Sequence, residues 1–168
     1  MKKLDLISSC LLAIFLVIAS CNSKESLDAN TFLIATQEDF DKYSGYVFSE
    51  GSKVLFAKGA SFEGQVVLKG SGTESNPNLA AAYDPKDNAV LTNKIDEKPI
   101  INGLGVNESA LYLYNGQHWE INNLELLNTN GTKEDQGKLK GIYVVAEDAG
   151  IMNKITIKNC YVHDVNGD

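Results

Sequence analysis

From Lys53 onward apolar and polar residues alternate in short runs, each closed by Gly, Asn, Asp, Ser or Pro. Leu111 and Leu113, Ile121, Leu124 and Leu126, Ile142 and Val144, and Ile155, Ile157, Cys160 and Val162 carry the pattern. A period of two sends successive side chains to opposite faces, so these runs predict β-strands with one face buried. Strands are expected over 54–57, 65–69, 79–83, 89–91, 100–101, 111–114, 120–126, 142–145 and 155–162. One segment reads differently. Thr36 stands three residues before Asp39, among further acidic residues, as at a capped helix start, and predicts one short helix over 37–43. Its Phe40 and Tyr43, with Tyr46 just beyond, could lay an apolar face over the first strands.

Two of the runs are versions of one another. WEINNLELLNTNG, from Trp119 to Gly131, returns as ITIKNCYVHDVNG, from Ile155 to Gly167. Ile121 falls on Ile157, Asn123 on Asn159, Leu124 on Cys160, Leu126 on Val162 and Asn128 on Asp164. Matching of apolar to apolar and turn to turn at one register predicts a solenoid, in which each coil buries its apolar row against the next. A β-sandwich also has many short strands, but it does not predict this recurrence. Within each repeat the apolar step lengthens from two to three at Asn123 and Asn159, which predicts a bend with asparagine in the left-handed conformation. Stacked one coil apart, the two asparagines are expected to form a side-chain ladder. The last apolar row has no later coil in this sequence, so the chain is expected to be the front part of a larger protein or a truncated product of one.

The start reads as an address. Lys2 and Lys3 precede an apolar run from Leu11 to Ile18, too short for the ~20 residues of a membrane span, and small residues then lead to Cys21. This order resembles a bacterial lipoprotein signal, which implies cleavage before Cys21 and lipidation of its thiol; an ordinary secretory signal is the alternative. NSKES after the cysteine resembles the tag that sends some lipoproteins of Bacteroides-like bacteria to the outer face of the outer membrane. The expected organisation is a signal over 1–20, a polar tether over 21–35 and a solenoid domain over 36–168. Cys160 then remains without a cysteine partner in the mature chain and is read as a small buried hydrophobe.

VLFAKGASFEGQVVLKGSGTESNP, KPIINGLG and GIYVVAEDAG followed by ITIKNCYVHDVNGD resemble the N-terminal half of right-handed parallel β-helix proteins of Bacteroides-like bacteria. Those sit in the neighbourhood of pectate lyase and chondroitinase B, among polysaccharide lyases and glycoside hydrolases. The resemblance implies an all-β right-handed parallel β-helix with a short N-terminal capping helix, truncated before its C-terminal coils. It also implies a surface lipoprotein whose partner is a polysaccharide. A non-catalytic glycan-binding or structural lipoprotein is the other reading, because fold does not fix function.

Charge narrows the partners. The formal net charge is −7, and loss of Lys2, Lys3 and Asp5 with the signal makes it one unit more negative. No basic run exists to neutralise phosphates, so nucleic acid is excluded as the expected partner. All fifteen basic residues are lysines. The resembling lyases use arginine, or lysine with arginine, to take a proton beside a uronate carboxylate, so most catalytic residues are expected beyond Asp168. An inverting hydrolase needs two carboxylates about 6.5–9.5 Å apart, and Asp84, Asp87, Glu125, Glu147, Asp148 and Asp164 are available without forming an evident pair.

Three candidate sites follow. His163 beside Asp164 could shuttle a proton, although strand neighbours point to opposite faces and the repeat also reads Asp164 as a turn residue. Glu147 and Asp148 could offer oxygens to calcium, or be a solvated turn. Tyr112, Tyr114 and Trp119 could stack on sugar rings, or pack beneath the insertion over 131–141.

Overall fold

The computed structural model describes residues 28–132 and 137–167. The signal and Cys21 therefore lie outside the described residues. The strands are β1 (Thr31–Ile34), β2 (Lys53–Ala57), β3 (Ser61–Glu63), β4 (Val66–Lys69), β5 (Asn78–Asp84), β6 (Ala89–Val90), β7 (Ile100–Asn102), β8 (Ser109–Tyr114), β9 (Trp119–Asn122), β10 (Glu125–Asn128), β11 (Lys140–Val145), β12 (Ile155–Lys158) and β13 (Tyr161–Val165). One helix, α1 (Gln37–Tyr43), lies between β1 and β2.

Pairing turns this list into coils. A first sheet is ordered β1-β2-β5-β9-β12, a second β13-β10-β7-β3, and a third β11-β8-β4, while β6 pairs β5 off the main path. The chain visits first, second and third sheet in turn, through β2-β3-β4, then β5-β7-β8, then β9-β10-β11, and begins again with β12-β13. Among the described residues every pairing along the three sheets is parallel, and β5 with β6 is the one antiparallel pair. Parallel ladders between successive coils are the architecture of a β-solenoid and rule out the antiparallel sandwich.

The core is a set of rows running along the solenoid. Phe32, Val54, Ala80, Ile121 and Ile157 are register partners in the first sheet. Phe62, Ile101, Leu126 and Val162 align in the second, and Leu68, Leu113 and Val144 in the third. Full burial of one such side chain stabilises by roughly 1.5–3 kcal/mol, so the rows supply the main driving force. At the last described coil this gain shrinks: Ile157 stays 46% exposed and Val162 44%.

Helix α1 forms where expected because its cap is local. Thr36 Oγ1 accepts from the Asp39 N–H at 3.2 Å, and Asp39 Oδ2 accepts from the Thr36 N–H at 3.0 Å. Phe40 stacks on Phe62 at 5.3 Å and Tyr43 meets Phe32 edge-on, covering the first coil, and Tyr46, half exposed, packs its ring on Phe32 and Phe48. Two strands depart from expectation. β1 lies inside the expected tether, because Phe32 and Ile34 continue the inner rows through pairing with Val54 and Phe56. β3 has a single apolar residue, Phe62, too little to show a period in the sequence.

Both expected bends occur. Asn123 and Asn159 have φ of 58° and 54°, the left-handed region. The expected ladder between them is replaced by another arrangement. Asn123 Nδ2 donates to the Leu91 and Asn93 carbonyls, and its Oδ1 accepts from the Ile95 N–H, so the 91–95 segment uses up its amide. Asn159 Nδ2 donates to Asn122 Oδ1 at 2.9 Å. Among the described residues no helix is long and apolar enough to cross a membrane.

Candidate functional site

The outer face of the second sheet gathers an imidazole between two carboxylates. Leu124, just before β10, and Leu126 on it point inward, which leaves Glu125 between them pointing out. Glu125 is the register partner of Tyr161 on β13. Val162 pairs with Leu126, but Val165 pairs with Asn128, so β13 carries one residue more than β10 at this point. That is a β-bulge, and Asp164 within it has φ of 46°. The extra residue removes the strict alternation that would send His163 and Asp164 to opposite faces. His163 Nδ1 lies 2.9 Å from Asp164 Oδ2, and its Nε2 lies 3.0 Å from Glu125 Oε1. Tyr161 stacks on the imidazole with ring centres 4.1 Å apart.

The same bulge corrects the repeat alignment. Asn128 is opposite Val165 and not opposite Asp164, so Asp164 is an addition to the repeat and not the turn residue it was matched with. The Asn128 amide is buried, holding the Asn107 and Lys140 carbonyls and the Gly105 N–H. Partial burial pulls the His163 pKa down, but hydrogen bonds to Asp164 and Glu125, and their charges, push it up further. The net position is above the ordinary 6.5. A neutral imidazole has one N–H and can donate to one carboxylate; only imidazolium satisfies both.

On the outer face of the third sheet lies an aromatic row. Tyr112 and Tyr114 point away from the core, as their parity with Leu111 and Leu113 requires, and their rings stack at 5.9 Å. Tyr143 is the register partner of Tyr112 one coil on, with ring centres 5.4 Å apart. Lys69 Nζ lies 5.9 Å from the Tyr114 ring and Lys140 Nζ 4.3 Å from the Tyr143 ring. Tyr114 donates its hydroxyl to Glu147 Oε2 at 3.1 Å, and that bond raises its pKa. Burial, with the charge of Glu108 beside it, raises that of Tyr112. Tyr143 was legible in the sequence, since it sits between Ile142 and Val144 with the parity of an outward residue.

Trp119 does not join this row. It is 1% exposed, shares the inward parity of Ile121, and donates its Nε1–H to the Gly70 carbonyl at 2.8 Å. An indole facing the core cannot stack on an external sugar. Glu147 is occupied otherwise: its backbone N–H donates to Asn115 Oδ1 and its carbonyl accepts from Asn115 Nδ2. Asp148 sits beside it with φ of 51°. Among the described residues no group of three or more His, Cys, Asp or Glu side chains converges as a metal site. Asp84 pairs with Lys58 at 3.5 Å, and Asp87 accepts from the Ala89 N–H in its own turn. Cys160 packs against the core, and burial pushes its thiol pKa up, away from nucleophilic character.

No protein-family model matches this chain, and no curated protein matches it either. Among solved structures it is similar to an alginate lyase from Paenibacillus sp. str. FPU-7, with a TM-score of 0.59 and 19% sequence identity. The likeness covers 80% of this chain and 37% of that enzyme. At this identity the likeness is one of fold: the chain has the parallel-stranded architecture of about a third of that protein's length.

Proposed function

We propose that this chain is the polysaccharide-holding part of a carbohydrate-active, right-handed parallel β-helix lipoprotein of the lyase or glycoside hydrolase type. In this reading Cys21 carries the lipid, and the anchor holds the protein at the outer membrane, facing the cell surface. One observation carries the proposal: the row of Tyr112, Tyr114 and Tyr143 flanked by Lys69 and Lys140. Coils repeat every ~4.8 Å, close to the advance of a glycan chain per sugar, so aromatic rings in coil register can each meet the apolar face of one pyranose. Lys140 is paired with Glu108 at 3.4 Å, which leaves the Lys69 ammonium as the cation of the row that an anionic sugar would meet. The fold likeness to an alginate lyase supports the same substrate class.

The test is retention of the full chain in gels cast with alginate, pectate or a neutral glucan, with calcium present and chelated. The wild type is expected to be retarded by at least one anionic polysaccharide. Tyr112→Ala with Tyr143→Ala is expected to weaken that binding about tenfold, at roughly 0.5–1.5 kcal/mol per aromatic contact. Equal retention of wild type and double variant would sink the proposal. Release of unsaturated ends marks a lyase and new reducing ends alone mark a hydrolase. Binding without either favours the non-catalytic reading.

A further inference from the structure

The arrangement at Glu125, His163 and Asp164 is asymmetric in a way a surface ion pair does not require. The Glu125 and His163 side chains are 22% and 23% exposed, whereas that of Asp164 is 70% exposed. Glu125 is fixed on a central strand, β10, paired on both sides by β7 and β13. Asp164 stands on a bulge at left-handed φ, where the ladder is already interrupted. One ring nitrogen is thus held by a fixed carboxylate and the other by a carboxylate open to solvent. Tyr161 stacks on the ring and sets its plane. Among the described residues no lysine forms an ion pair with Glu125 or Asp164, so both carboxylates serve the imidazole.

We propose that Glu125 and His163 form a hydrogen-bond-donating pair for an oxygen of a hydroxylated ligand, and that the Asp164 carboxylate accepts from Nδ1–H until the ligand oxygen takes its place. Glu125 is the positioning residue: it accepts from Nε2 and keeps the imidazolium oriented. His163 then presents Nδ1–H outward, where a sugar hydroxyl or ring oxygen accepts it. Displacement is accessible because the Asp164 carboxylate, once released, is solvated by water. The ligand class rests on the carbohydrate reading above; the pair itself does not. The site lies on the second sheet, apart from the tyrosine row on the third.

The chain has two histidines, His118 and His163, so their ring resonances can be followed in the intact protein and assigned with His118→Gln. Without ligand, His163 is expected to titrate above 6.5, and Glu125→Gln to lower that value. Asp164→Gly keeps the left-handed backbone accessible while removing the competing carboxylate. It is expected to lower the His163 pKa and to make an alginate oligosaccharide perturb the His163 ring at several-fold lower concentration than in wild type. Titration of His163 at or below 6.5, or no response to Glu125→Gln, would overturn the pair. A His163 ring untouched by the oligosaccharide in both wild type and Asp164→Gly would overturn its role as a ligand site. If Tyr112→Ala with Tyr143→Ala abolishes gel retention and leaves the His163 response intact, the two sites are separate. If gel retention is unaffected and His163 still responds, the tyrosine reading fails and this one stands.

Discussion

A methyl group added at residue 70 has no room. Gly70 has φ of +88°, and a Cβ built there would lie 2.1 Å from the Phe48 carbonyl oxygen. Its own carbonyl receives the Trp119 indole N–H, so any shift of the backbone also disturbs the largest side chain of the core. Gly70→Ala is therefore expected to destabilise the fold by about 1–3 kcal/mol, read as a lower urea midpoint with unchanged slope. His163 makes a smaller, pH-dependent contribution. Its folded pKa is raised, so the stability it gives is complete below its unfolded value near 6.5 and is lost as pH rises through the folded value. The melting temperature gap between wild type and His163→Asn should thus be wider at about pH 5.5 than at about pH 8.5. Partial exposure keeps the effect below about 1 kcal/mol. A gap that widens with rising pH would contradict the charge assignment.

At the scale of the element, what could be read from the sequence was what is decided locally. The capping box of α1 uses side chains three residues apart, and the left-handed bends at Asn123 and Asn159 use the residue that tolerates them; both were legible. Thr36→Ala removes the cap and is expected to cost about 1 kcal/mol in denaturant unfolding at neutral pH. The Thr36 hydroxyl beside Asp39 also holds that carboxyl below its ordinary pKa, so the cap is complete above the unfolded value and weakens as pH falls through the folded one. A smaller Thr36→Ala penalty at low pH is the corresponding check, since the Asp39 N–H bond to the Thr36 hydroxyl does not titrate. Strands β1 and β3 were not legible, because their stability comes from parallel partners in other coils and not from their own composition. The bulge on β13 was hidden for a related reason. The repeats have equal length, so no gap marks the extra residue, and only the pairing of Val165 with Asn128 reveals it. The Glu125 and His163 contact spans two coils and depends on that register; the sequence supplied the candidates but not their meeting.

The described coils form a one-dimensional stack, and the stability of this chain taken by itself should be graded along the axis. In such a stack each coil is held only by its neighbours, so a coil covered on both sides outlasts one covered on one side. Leu113 is fully buried between Leu68 and Val144, while Ile157 has Ile121 as its register partner and stays nearly half exposed. Leu113→Ala should cost about 2–5 kcal/mol, and Ile157→Ala less than about 1 kcal/mol, because the isoleucine is only partly withdrawn from water. Amide exchange should follow the same order. Backbone N–H groups of β5, β8 and β9 are expected to exchange by near-global unfolding, and those of β12 and β13 by local opening at lower free energy. The outer face of the first sheet adds to this gradient, since Leu55, Ala57, Ala81 and Tyr83 form a second apolar cluster over the early coils. Uniform protection from β2 to β13 would mean that the coils unfold as one unit.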